Sequence, residues 1–357
     1  MRLDKLDQIV EKAGVKNALI LGEPNLFYFS GYRGVGGLLN CDGRRTLLVP
    51  LLEKYRGRKA ESSEIDLKVY YPVKLTDDVI EGNMVTAIEK LCQPGINSKL
   101  LVDVGYIPVD MYLQLKTRFD VVDVTRHILN VRSIKEGSEL EAIKRAQRAT
   151  AVAMEKVRDE LKENMTEVEL AGTIDMNMRK GGAEDYAFPS IVAFGENGSE
   201  PHHVPGYRGL RPGDEVVIDI GAKFDGYSFD STRTFLFGPT TGKMKAVYEI
   251  VLEAQLEAID SINDGVVASE IDKVARRRIE RSGYGQFFIH STGHGVGIEV
   301  HESPSISMKS DDILKENMVI TVEPGIYLDG EFGVRIEDTI IVRKGKAEVL
   351  ETTYKTM

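Results

Sequence analysis

Two textures of apolar spacing divide the chain. Over residues 1 to about 122, short helical and strand patterns alternate: Lys5 to Ala13 has helical spacing, while Ala18–Leu21, Thr46–Pro50 and Leu100–Val104 are apolar runs of buried-strand length. That alternation predicts an α/β domain. From Ser138 through Lys162 one long helix is predicted, with Leu140, Ile143, Ala146, Ala149, Val152, Ala153 and Val157 on a single stripe. The segment near 123–137 reads as a linker, giving predicted domains over 1–125 and 135–357.

The second part is patterned twice. Thr166-Glu167-Val168-Glu169 is a capping box opening a helix, and Ser269-Glu270-Ile271-Asp272 is a comparable start, with Asp in place of Glu. Each follows a long helix and precedes a pair of strands, Glu215–Gly221 with Tyr227–Phe237 and Met318–Glu323 with Gly333–Val342. The order helix, helix, strand pair therefore occurs twice, predicting two similar α/β halves about a pseudo-twofold axis, with a site drawing on both. The fold class expected is α/β in the first domain and α+β overall.

A length of 357 residues fits two domains, each long enough for its own core. The formal net charge of −10 disfavours nucleic acid and anionic membrane as partners. Arg276-Arg277-Arg278, the densest basic run, sits in a helical pattern and reads as a solvated helix face. Cys41 and Cys92 are too few for a disulfide framework and lack metal-binding spacing, which favours a reducing compartment. The first residues alternate acids and bases without the apolar stretch of a signal peptide, and no apolar run is long enough to cross a bilayer. A soluble, cytoplasmic protein is expected.

Candidate chemistry enters through acids placed within apolar strands. Asp219 interrupts Val216–Gly221, the hairpin signal Asp225-Gly226 follows, and the returning strand carries Asp230. A turn about Phe224-Asp225 would set the two acids opposite, and one about Asp225-Gly226 would set them diagonally on one face. Like charges that close need neutralising, by a divalent cation or by protonation of one acid. The second half repeats the arrangement: Glu323 ends an apolar strand, Asp329-Gly330 marks a turn, and Glu337 lies on the return, equidistant with Glu323 from Gly330. Four converging carboxylates imply two metals. His294, in Gly293-His294-Gly295-Val296-Gly297, gains credibility as a ligand from that company; the glycine spacing fits neither a dinucleotide fingerprint nor a nucleotide loop.

These segments resemble the pita-bread metallopeptidases, the family of methionine aminopeptidase, aminopeptidase P and prolidase. The likeness rests on Ile218–Gly221, Asp225–Thr234, Gly293–Gly297, Val300-His301-Glu302, Val322–Gly325 and Val334–Asp338, and Asn25–Tyr32 resembles the creatinase/prolidase N-terminal domain. The resemblance implies that Asp219 binds one metal, His294 and Glu323 the other, and that Asp230 and Glu337 bridge both. It further implies Glu323 as proton acceptor, His301 as oxyanion stabiliser and His202 as substrate-binding and proton-shuttling histidine, with His203 as its rival. His290 would sit near the leaving residue and Arg335 would orient the neighbouring bridging glutamate. The metals expected are manganese or cobalt, with zinc or iron as alternatives, and the substrates are short Xaa-Pro peptides, dipeptides foremost, cleaved by a homodimer. One departure points towards longer peptides: some dipeptidases of the family carry an arginine a few residues after Val-His-Glu, where this chain has Ser303-Pro304-Ser305. A catalytically silent member of the fold is disfavoured because all five ligand positions are filled.

Overall fold

The computed structural model describes residues 2–95, 98–350, 352, 353 and 355. It divides into two compact units, Met1–Arg132 and Ser133–Met357.

The first unit is built on a seven-stranded mixed sheet. Its strands are β1 (Asn17–Ile20), β2 (Gly37–Cys41), β3 (Arg44–Pro50), β4 (Asp66–Tyr71), β5 (Val79–Glu81), β6 (Lys99–Val102) and β7 (Asp120–Asp123), ordered β5-β4-β3-β2-β1-β6-β7. Only the β1–β2 and β2–β3 pairs are antiparallel; the others are parallel. The predicted apolar runs supply the middle strands, and Leu19, Leu39, Leu48 and Leu100 pack into the core with Ile88 and Leu115. The helices are α1 (Leu3–Lys12), α2 (Glu23–Ser30), α3 (Lys54–Gly57), α4 (Met84–Cys92) and α5 (Val109–Lys116). The start of α2 is held by buried Asp103, which accepts from the backbone N–H groups of Leu21 and Gly22 and from Asn25 Nδ2. Cys41 and Cys92, which the sequence did not pair, are bonded to each other, joining β2 to the end of α4 with Cα atoms 5.4 Å apart.

Part of the expected linker is helical: α6 covers Thr125–Ser133. The Asp123 carboxylate accepts from the Thr125 N–H and hydroxyl and so fixes its first turn, while Ile128 and Arg132 are buried. Ile128 is the helix's one fully buried apolar residue, with Leu129 and Val131 half-buried, too thin a stripe to read from spacing.

In the second unit the doubled pattern becomes two helix pairs and two cores. In the first half, α7 (Gly137–Glu160) and α8 (Glu167–Lys180) cover β8 (Asp185–Tyr186), β9 (Ile191–Phe194), β10 (Glu215–Ile220), β11 (Ala222–Phe224), β12 (Tyr227–Ser228) and β13 (Ser231–Leu236). Ala149, Ala153, Val157, Leu170 and Ile174 from the helices meet Val192, Val216, Ile218 and Phe235 from the strands. In the second half, α9 (Gly242–Asp260) and α10 (Ala268–Arg281) accompany β14 (Gly293–Gly295), β15 (Glu302–Ile306), β16 (Val319–Val322), β17 (Gly325–Leu328), β18 (Phe332–Arg335), β19 (Asp338–Ile341) and β20 (Glu348–Leu350). Val247, Val251, Ile271 and Ala275 pack there on Ile320, Val322, Ile336 and Ile340. The long helix keeps its predicted stripe except that Val152 is only partly covered, and Thr150 and Met154 are buried instead.

The helix starts differ from expectation in one place. Thr166 and Glu169 form a capping box on α8. The supposed second box does not cap: α10 begins at Ala268, so Ser269 already lies in its first turn and Asp272 is fully buried. Asp272 is ion-paired with Arg276 and accepts from the Thr292 N–H and hydroxyl, work that holds the segment leading to β14. Arg276 likewise leaves the solvated face assigned to it, stacking on Phe288 and donating to the carbonyls of Phe288 and His290.

Candidate metal centre and active site

Each acid pair owes its position to a turn. Asp225 and Gly226 both take positive φ, 48° and 81°, the requirement of a type I′ hairpin turn. The register that follows pairs Asp219 with Thr232, so Asp230 lies diagonally from Asp219 on the same side of the ladder. In the second half, Val322 pairs with Asp338 and Gly325 with Arg335, which leaves Glu323 and Glu337 facing one another between two ladders of common register. His294 is brought between the pairs by β14, whose backbone lies almost against β16: a Cβ on Gly293 would fall 2.1 Å from the Thr321 carbonyl oxygen.

Ligand atoms of Asp219, Asp230 and Glu337 lie within 4.8 Å of one another, as do those of His294, Glu323 and Glu337, and those of Asp230, His294 and His301. Asp219 Oδ1, Asp230 Oδ1 and Glu337 Oε1 are buried and have no hydrogen-bond partner among the described residues. Buried carboxylate oxygens are ordinarily satisfied, so three orphans aimed into one space fit a cation there. The ionisation of the group agrees. Burial, together with Glu337, Asp219 and Glu323, pushes the Asp230 carboxyl well above its ordinary range, and burial with Glu323 and Asp219 does the same to Glu337. Burial also opposes the charge on Glu323, but the imidazole of His294 outweighs it and holds that carboxyl at about 2.

The surrounding groups fix orientation and tautomer. His294 Nδ1 donates to the Gly295 carbonyl at 3.1 Å, leaving Nε2 directed at Glu323 Oε1, 3.2 Å away. That is how a metal-ligating imidazole is usually held. Thr321 accepts from the His294 N–H and donates to Glu323 Oε1. Arg335 is placed differently from the expectation that it orients the bridging glutamate. Its Nη2 donates to Asp219 Oδ2 at 2.8 Å, and it reaches Glu337 only through Thr232, whose hydroxyl accepts from Arg335 Nε and donates to Glu337 Oε2 at 2.8 Å.

A cavity of about 540 Å³ opens over the acids, its lining including Phe188, Pro189 and Ile191 together with His202, His290, His301 and Tyr327. This is the size range of small-ligand sites. His290 Nδ1 donates to the Ser291 carbonyl, so in the neutral ring, which burial favours, Nε2 accepts from the Tyr327 hydroxyl at 2.9 Å. Tyr327 in turn accepts from Arg335 Nη1. His301 stands edge-on to His294 with ring centres 4.3 Å apart. Burial and the neighbouring His294 lower its pKa, favouring the neutral ring.

The sequence brought Asp219, Asp230, His294, Glu323, Glu337, His202, His290, His301 and Arg335 to one place, and all nine line the cavity or the acid cluster beneath it. His203 is the exception: it does not line the cavity, and both its ring nitrogens are taken by Glu167 and Glu200 outside it. His202 lies in a turn closed by the His203 N–H on the Glu200 carbonyl, and of the two neighbouring histidines it is the one that lines the cavity. Tyr327 and Thr232 went unread, being ordinary strand residues by pattern; their only signal was position, two before the Asp329-Gly330 turn and two after Asp230.

Residues 141–344 match metallopeptidase family M24, and residues 2–134 match the creatinase/prolidase N-terminal domain. The chain belongs to family M24, with the pita-bread catalytic fold and the small N-terminal domain that its sequence resembles. It is 37% identical to a Xaa-Pro dipeptidase of Pyrococcus furiosus, over 100% of this chain and 99% of the relative. Among solved structures it is similar to the prolidase from Pyrococcus horikoshii, with 35% identity and a TM-score of 0.89 over 99% of this chain and 98% of the other. An X-Pro aminopeptidase from Thermotoga maritima also superposes, at 30% identity and a TM-score of 0.85, covering 98% and 99% of the two chains.

Proposed function

We propose that this protein is a dinuclear-metal prolidase that hydrolyses the bond before proline in Xaa-Pro dipeptides. The observation that carries the proposal is the set of three unpartnered carboxylate oxygens converging with His294 and Glu323 under the cavity. Two divalent cations, manganese or cobalt with zinc or iron as alternatives, suit an oxygen-rich donor set with one imidazole. Asp219 would hold one, His294 and Glu323 the other, with Asp230 and Glu337 between them. When bound, such a pair supplies a water acidic enough to attack at neutral pH and polarises the scissile carbonyl.

The chain's own groups account for the rest of the reaction. Glu323 accepts the proton of the attacking water and returns it to the departing proline nitrogen. His202 and His301 face the cavity, where their N–H groups can donate to the oxyanion that develops at the scissile carbonyl. The Phe188, Pro189 and Ile191 wall suits a pyrrolidine ring. Arg335 and Thr232 keep the acids from turning away. A homodimer completes the proposal, supported by the family resemblance; with Cys41 and Cys92 bonded to each other, cysteine usage no longer argues for a reducing setting.

One observation favours a second reading, a Xaa-Pro aminopeptidase on longer peptides. Arg335 is the one Arg or Lys side chain among the described lining residues, and it is engaged by Asp219 and Tyr327, while Ser305 is exposed. The test is turnover of an Xaa-Pro dipeptide against Xaa-Pro-Yaa tripeptides by metal-loaded enzyme. Higher kcat/KM on the dipeptide is expected; faster tripeptide cleavage would replace the first reading by the second, and turnover undiminished by exhaustive chelation would refute both.

A further inference from the structure

The segment that carries His202 is pinned on either side of it, within the cavity lining at Pro201 and outside it at His203. The carbonyl of Pro201 accepts from Arg335 Nη1 at 3.2 Å. On the other side, His203 Nε2 lies 2.8 Å from Glu167 Oε2 and its Nδ1 lies 3.0 Å from Glu200 Oε2. Glu167 opens α8 and is fully buried, and its two oxygens gather the whole segment. Oε1 accepts from the Phe194 N–H and Asn197 Nδ2, and Oε2 accepts from the Gly206 N–H as well as facing His203. A carboxylate only accepts, so an imidazole bonded to one at each nitrogen carries both protons. The charged groups facing the ring are Glu167 from α8 and Glu200 from the same loop; Arg208, further along, is held by Glu196 and Asp214.

We propose that His203 is a positioning residue: its imidazolium bridges Glu167 and Glu200, locks residues 194–206 onto α8, and thereby sets His202 in the cleft. The part concerning His202 rests on the peptidase reading above; the lock itself does not. Burial opposes the charge on His203, but its hydrogen bonds to the two glutamates outweigh it and raise the pKa above its ordinary value. The sign follows: the lock is complete below about pH 6.5, the free histidine value, and is released as pH rises through the higher folded value.

The amides of Phe194 and Gly206 report the lock directly, because Glu167 accepts from both. Hydrogen exchange of the metal-loaded protein, corrected for intrinsic rates, is followed from pH 6 to pH 9 in wild type, His203→Gln and His203→Arg. In wild type, protection of Gly206 is expected to fall as pH rises. His203→Gln, which carries no charge and presents its donors from a single nitrogen, should lose about tenfold of that protection at pH 6 and show no further fall. His203→Arg keeps two donors and a permanent charge, and should hold protection to pH 9. In parallel, the alkaline limb of kcat/KM should shift upward in His203→Arg. Unchanged protection in a folded His203→Gln, or the same pH-dependent fall in all three proteins, would overturn the proposal. Exchange needs no substrate, so failure of the lock and failure of the peptidase reading would be told apart.

Discussion

At the scale of single residues, the site depends as much on hydroxyls and guanidinium groups as on its acids. Thr232 stands between Arg335 and Glu337, and groups in that position commonly change metal affinity or activity by about 10–100-fold when removed. Thr232→Val is therefore expected to weaken cation binding by about that factor with the fold retained, as read by calorimetric titration; unchanged affinity would show that Glu337 needs no orienting. A second residue carries a pH prediction. Burial raises the Glu215 carboxyl to about 8, although it accepts from the Gly333 N–H. A carboxyl with a raised folded value binds more protons folded than unfolded, so stability falls as pH climbs from about 4.5 to about 8. The wild-type Tm should drop relative to Glu215→Gln across that window, by the equivalent of roughly 4 kcal/mol, and parallel curves would refute the assignment.

At the scale of elements, legibility followed local pattern. The hairpins were readable because Asp225-Gly226 and Asp329-Gly330 are strong turn signals, and the turn alone decides which residues face each other. The second capping box was misread because Ser269 and Asp272 have the right types two residues too late, a displacement no local rule detects. Arg276 went unrecognised for a different reason: its partners, Asp272 apart, lie on a loop beyond the helix. Long-range pairs of this kind were invisible throughout, and the most consequential is Lys135 with Glu302. Both side chains are buried, 2.8 Å apart, and Glu302 follows His301. Lys135→Met would leave a carboxylate in the interior and is expected to cost about 3 kcal/mol in urea unfolding. Lys135→Met combined with Glu302→Gln should recover part of that loss.

For the whole molecule, the acids of the two halves meet at one place, where their mutual repulsion would be relieved by cations. Cations that bind only the folded state stabilise it by mass action, about 2.7 kcal/mol at a hundred times Kd. Chelation should therefore lower Tm, and manganese or cobalt should restore it in a concentration-dependent way; a Tm indifferent to both would mean that the carboxylates are satisfied otherwise. Two-part organisation and duplication were legible because each half repeats its own apolar pattern around its own core. Phe188 and Tyr327 in the cavity lining were not, since they come from different halves of the pattern.

The bonds around the acids run crosswise between those halves. Arg335, from the second, grips Asp219 of the first, while Thr232, from the first, grips Glu337 of the second. Each half thus steadies an acid of the other, while Glu323 and His294 are held within their own half by Thr321 and the Gly295 carbonyl. For substitutions this means that a change at Arg335 in one half is felt at Asp219 in the other, and a change at Thr232 is felt at Glu337.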